Sequence, residues 1–165
     1  MYMKTLEDLF EHQVQDLYSA EEQLIQALPK MARKSNDEEL KKALNKHIEE
    51  TKTHLNRLKS ICDRLGINGN EEKCFAMEGL IRESDKFMQE DMDEDVLDAG
   101  IVAEAQRIEH YEISAYGTAA RFAKELGYDD IASTLKSTLD EEYNADDKLT
   151  SIAESRLNEQ AKSRS

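Results

Sequence analysis

The 165-residue chain has no tryptophan, one proline and six glycines, and aromatic residues make up only 6% of it. So little glycine and proline cannot supply the tight turns between the short strands of a sandwich or barrel, and an all-β fold is excluded. Its two cysteines, Cys62 and Cys74, form no C-x-x-C pair and have no histidine cluster beside them, so reduced structural thiols are expected rather than a disulfide framework or a zinc site. No apolar run approaches the roughly 18 residues of a membrane span, and Met1–Leu9 is polar and acidic rather than signal-like. A cytoplasmic protein with no membrane partner is expected. Positive charge is scarce, with 22 Lys+Arg against 36 Asp+Glu and a net charge of −14. Phosphate backbones are repelled at long range, so no nucleic-acid partner is expected. A Gly-rich phosphate loop, a Gly-x-Ser-x-Gly elbow and a fixed-period repeat are also missing, which removes support from nucleotide enzymes, common hydrolases and repeat arrays.

What is present is helical periodicity in a chain 39% hydrophobic and 35% charged, of a length that suits one domain over residues 1–165. From Thr5 to Ala32, Leu6, Phe10, Leu17, Leu24, Leu28 and Met31 recur at three-to-four spacing, and Thr5 with Asp8 reads as a capping box. Pro29 falls inside this helix and is expected to bend its last turns near Ile25–Pro29. Ser35-Asn36-Asp37-Glu38 reads as a second capping box that opens a helix carrying Leu40, Leu44, Ile48, Leu55, Leu58, Ile61 and Leu65 and stopping at Gly66. The irregular stretch Ile67–Lys73 reads as a crossover, and a shorter helix with Phe75, Met77, Leu80, Ile81, Phe87 and Met88 follows it. The acidic run Glu90–Asp95 solvates the end of that helix and opens the next. A long helix is then expected over Val96–Leu126, ended by Gly127, and another over Asp130–Asn158 capped by Asp129, with a frayed tail over Glu159–Ser165. Four long helices in two hairpins joined by a longer connection describe an all-α four-helix bundle with one long crossover containing an extra short helix.

Carboxylates interrupt the apolar seam of every long helix. Glu21 lies between Leu17 and Leu24; His47, Glu50 and His54 share the face of Leu44 and Leu58; Glu109 and Glu112 follow Ala105; and Glu142 follows Leu139. Glu21 and Glu50 are equally far from the turn at Ser35–Asn36, as Glu112 and Glu142 are from Gly127, so in antiparallel hairpins all four stand at one height. Unpaired buried carboxylates cost several kcal/mol each, and the nearby cations Lys52 and Arg107 are rotated off the seam. Two divalent cations would bring a charge of +4 against roughly −5 from Glu21, Glu50, Glu109, Glu112 and Glu142, with neutral nitrogen from His47 or His54. Such a site would hold two metals about 3.5–4 Å apart. A single core-facing histidine is more often a hydrogen-bonded structural residue, so the alternative is a bundle that uses these groups only for packing. Asp146 and His110 lie beside the seam and are left outside the ligand set, and Tyr18, Tyr111 and Tyr116 read as amphipathic core-edge residues.

Leu17-Tyr18-Ser19-Ala20-Glu21, His47-Ile48-Glu49-Glu50-Thr51, Lys73-Cys74-Phe75-Ala76-Met77-Glu78-Gly79-Leu80 and above all Glu109-His110-Tyr111-Glu112-Ile113-Ser114-Ala115-Tyr116-Gly117 occur here in order. Together with the Leu139–Leu149 segment they resemble the YciE/YciF family of bacterial ferritin-like proteins over nearly the whole chain. The resemblance implies a ferritin-like bundle with an extra helix in the crossover, a homodimer, an association with bacterial stress responses, and no firmly assigned activity. Ferritin-like di-iron proteins carry Glu-x-x-His on two helices; this chain instead has His47-x-x-Glu50 and Glu50-x-x-x-His54 on one helix, Glu109-x-x-Glu112 on another, and no histidine near Glu142 in sequence. The expectation is therefore a metal-binding protein with two irons, or Mn, Zn or Mg in their place, that oxidises Fe(II) with dioxygen or peroxide. Its competitor is a structural or interaction protein whose metal, if any, stabilises the bundle.

Overall fold

The computed structural model describes residues 3–163, and among them there is no strand. Helix α1 (Leu6–Lys34) starts at the capping box read from the sequence: the Thr5 hydroxyl accepts from the Asp8 amide at 3.1 Å and the Asp8 carboxylate accepts from the Thr5 amide at 2.9 Å. Pro29 interrupts the hydrogen-bond ladder without ending the helix, which continues to Lys34. The second box does not form. The Ser35 hydroxyl is taken by the Met31 carbonyl, and Asp37 caps α2 (Glu38–Leu65) instead, accepting from the Glu39 and Leu40 amides. Asn36 and Asp37 give their own amides to the Asp98 carboxylate at 2.8 Å each, so a side chain from a distant helix closes this turn.

Gly66 ends α2 in the left-handed region at φ 71°, as Gly127 does at φ 80° between the later helices. The crossover contains a single 3-10 turn at Gly69–Glu71 and the short helix α3 (Phe75–Phe87). Two close approaches lock it down. Gly69 lies against the Tyr18 ring and Gly100 against the Phe87 ring, each too tightly for a Cβ atom. Helix α4 (Glu94–Glu125) pairs with α5 (Asp129–Ile152), α1 pairs with α2, and contacts of α1 with α4 and α2 with α5 close the ring. The result is a ferritin-like four-helix bundle with one long crossover and an extra helix packed on α1 and α4.

Both ends of the last long helix differ from the expectation. Asp129 is the first residue of α5 rather than its cap, because Tyr128 occupies the capping position and offers no side-chain hydrogen bond. The tail from Glu159 is helical to Lys162 rather than frayed: α5 passes through a π turn at Ala153–Leu157 into α6 (Asn158–Lys162), held by burial of Ala153 and Leu157 against α4. Arg164 and Ser165, the last residues of that expected tail, lie outside the described residues. No helix among the described residues is long and apolar enough to cross a membrane.

The core falls into two apolar clusters. One gathers Leu24, Leu28, Leu44, Ile101, Ile108 and Leu149, the other Phe10, Leu17, Leu58, Tyr116, Ala119 and Leu135. Along each long helix the polar residues of the seam fall between the two, so a buried polar layer crosses the bundle at mid-height.

Candidate metal centre

Glu21, His54, Glu112 and Glu142 are completely buried, and Glu109 and His47 are within a few per cent of it. They come from all four long helices, because the seam periodicity that aims leucine inward aims these residues inward too. His47, Glu109, Glu112 and Glu142 each offer a ligand atom within 4.8 Å of the others, and Glu21, His54 and Glu142 do the same. Glu142 belongs to both groups. His47 Nε2 lies 3.0 Å from Glu109 Oε1 and 3.8 Å from Glu142 Oε2, while His54 Nδ1 lies 3.3 Å from Glu21 Oε1 and 3.0 Å from Glu142 Oε1.

These distances are short, yet the atoms lack hydrogen-bond geometry. Both oxygens of Glu112 and of Glu142, Glu21 Oε2, Glu109 Oε2, both ring nitrogens of His47 and Nδ1 of His54 have no hydrogen-bond partner among the described residues. Buried polar atoms are nearly always paired, so unpartnered oxygen and nitrogen atoms on six side chains, gathered in two groups that share Glu142, constitute a site that fits cations. The donor set of carboxylate oxygen and imidazole nitrogen suits iron, manganese or zinc. Charge also fits, since the two groups contain four carboxylates and two neutral imidazoles, which two divalent cations balance.

Without a cation the layer must hold protons. Burial raises Glu112 well above the usual carboxylate range, with the charges of Glu142 and Glu21 adding to the shift. Burial and the Glu109 charge push Glu142 up to about 8. Burial opposes charge on the histidines, but the facing carboxylates prevail, holding His47 well above its ordinary value and His54 at about 10.

Neighbours orient the candidate ligands. His54 Nε2 contacts Glu141 Oε2 at 2.8 Å, and Arg57 grips both Glu141 oxygens while donating to Thr138 at 3.0 Å. With Nε2 committed to Glu141, His54 turns Nδ1 into the layer. The Tyr116 hydroxyl donates to Glu21 Oε1 at 2.5 Å and leaves Oε2 free.

The sequence left open whether His47 or His54 belongs to the site; the fold brings both, and both reach Glu142, for which no histidine stood nearby in sequence. Glu50 is the exception. It stands half-buried outside both groups, drawn out by Lys46 at 2.9 Å one turn earlier, with His47 Nδ1 3.5 Å away, and His47 and Lys46 together hold its carboxyl at about 2. Asp146 and His110 stay out of the layer as expected and pair with each other at 3.0 Å. Tyr111 turns aside to Asp16 at 2.5 Å and Cys74 at 3.0 Å. Glu141 and Arg57 were missed; the available signal was an arginine one turn after a seam histidine, but their pairing spans α2 and α5.

The model of a domain of unknown function, DUF892, matches residues 5–162. The chain belongs to the DUF892 family. It is 42% identical to Protein YciF of Escherichia coli (strain K12) over 165 residues, 99% of each chain. Among solved structures, the E. coli stress protein YciF superposes with a TM-score of 0.90 at 43% identity, covering 94% of this chain and 99% of that one. YcfI from Rhodopseudomonas palustris gives 0.86 at 44% identity, covering 89% and 94%. A protein from Xanthomonas campestris, 20% identical with a TM-score of 0.76 over 94% of this chain and 98% of that one, shares the fold. The DUF892 fold and the YciF likeness agree with the resemblance read from the motifs.

Proposed function

We propose that this DUF892 protein is a di-metal carboxylate protein of the bacterial stress response, that iron is its metal, and that it oxidises Fe(II) with dioxygen or peroxide. One observation carries the reading: six buried side chains from four helices bring unpartnered oxygen and nitrogen atoms together in two groups that share Glu142. Stress enters by likeness to E. coli YciF, described as a stress protein. His47, Glu109 and Glu112 would hold one metal, Glu21 and His54 the other, and Glu142 would bridge them. Bound iron supplies one-electron redox chemistry, changing between its two oxidation states. The protein's own part is positioning and exclusion. Glu141 and Arg57 hold the His54 ring, Tyr116 fixes Glu21, and the two apolar clusters keep water from the layer. Protons resting on Glu112, Glu142 and the two histidines leave as cations enter, so loading releases acid.

The test is metal content per chain of untagged protein purified without chelator, together with its Fe(II) oxidation rate, in the wild type and in a Glu112→Gln, Glu142→Gln double variant. About two irons per wild-type chain, lost in the variant along with oxidation, is the expected result. Unchanged content and rate would overturn the proposal. A second reading, a structural protein whose metal only stiffens the bundle, is favoured by the description of R. palustris YcfI as a candidate structural protein. It requires that chelation lower the melting temperature while no oxidation is lost. The homodimer expected from the resemblance belongs to the same proposal and is checked by mass in solution.

A further inference from the structure

The proposed metal layer is sealed by the bundle on most sides. Of its ligands, His47 and Glu109 line a surface cavity of about 420 Å³ between α2 and α5, whereas four further cavities on the molecule reach none of them. Dioxygen, peroxide or a hydrated ion needs a fraction of that room, which would hold about a dozen waters at about 30 Å³ each. The inner walls do not suit water: Ala43 and Leu44 of α2 face Ala145 and Leu149 of α5. Aliphatic cavities stay dry unless polar groups hold the water. The size instead falls within the roughly 300–1,000 Å³ typical of sites for small organic ligands.

Charge at the opening selects the kind of ligand. On a chain of net charge −14, the cavity gathers Lys42, Lys46 and Lys148, with the carboxylates of Glu39 and Glu50 beside them. Lys46 is engaged by Glu50 and Lys148 by Glu39, while Lys42 is exposed and has no ion-pair partner among the described residues. At the bottom the surroundings reverse: Glu109 repels an anion, and His47 presents a ring whose two nitrogens are unpaired.

We propose that this cavity binds an aliphatic carboxylate, with its head at Lys42 and its chain along Ala43, Leu44, Ala145 and Leu149, so that the end of the chain reaches His47 and Glu109. Its bearing on the activity rests on the di-metal reading, since the ligand would then be an organic substrate or effector presented chain-end first to the metals. The binding itself does not need a metal.

Decanoate is a suitable probe. Calorimetry on metal-free wild-type protein should show one saturable site. Lys42→Glu should weaken it by at least about fivefold, and Ala145→Phe, which fills the cavity, should abolish it, with circular dichroism and metal content of both variants unchanged. In Mn(II)-loaded protein, paramagnetic broadening should be strongest at the terminal methyl of decanoate and weakest beside its carboxylate. Absence of binding to the wild type, binding insensitive to both variants, or strongest broadening beside the carboxylate would each overturn the proposal. Saturable binding that responds to both variants but shows no broadening anywhere would support the cavity while counting against the metal reading.

Discussion

Glu112 is the residue at which cost and use are most sharply opposed. Both its oxygens are buried and unpartnered, and burial pushes its carboxyl well above the usual carboxylate range. Removing such a group in favour of a well-packed apolar one is often stabilising. Glu112→Leu is expected to raise the melting temperature of the metal-free protein and to abolish stoichiometric metal binding, a pairing that differential scanning calorimetry and elemental analysis would reveal. A fall in melting temperature would mean that the carboxylate supports the fold instead. Glu141 acts through its neighbour: it holds His54 Nε2 and is itself gripped by Arg57. Glu141→Ala should weaken Mn(II) binding by about 10–100-fold in titration calorimetry while leaving helical content intact. Glu21, Glu109, Glu112 and Glu142 were legible in the sequence because a charged residue at a seam position contradicts the period around it. Glu50 shares that seam face in sequence, yet Lys46, one turn earlier on the same helix, pairs with it and holds it outside both groups.

At the scale of elements, most helix ends follow from local chemistry. Thr5 with Asp8, and the glycines at 66 and 127, act within a few residues and were read correctly. The turn at residues 35–37 was misread because Ser35 is claimed by the helix behind it and Asp98 by the loop in front. That tie carries a prediction: Asp98→Ala leaves two amides without their acceptor and should cost about 1–3 kcal/mol in urea unfolding. The crossover helix depends on contact with no slack. A methyl group at Gly100 would overlap the Phe87 ring, so Gly100→Ala should destabilise by about 1–3 kcal/mol, and Phe87→Ala introduced beside it should recover part of the loss.

For the whole molecule, the polar layer links stability to pH. Glu142 sits at about 8 against an ordinary 4.5, and His54 at about 10 against 6.5. Both are raised, so the stability each contributes is complete below its ordinary value and is lost as pH rises through the folded one. The melting temperature of metal-free protein should therefore fall between pH 4.5 and 10, first through Glu142 and then through His54, while Mn(II)-loaded protein, whose cations replace those protons, should change less. Chelator added at neutral pH should lower the melting temperature of loaded protein, since a ligand bound to the folded state alone stabilises it by mass action. The sequence by itself determined the all-α class, the hairpin pairing, the crossover helix and the height of the carboxylates, because period, caps and distance from a turn are local quantities. Only the tertiary structure decided that both histidines of α2 reach Glu142 and that Glu141 and Arg57 orient His54. Those outcomes depend on the rotation of one helix against another, which spacing along a single chain does not encode.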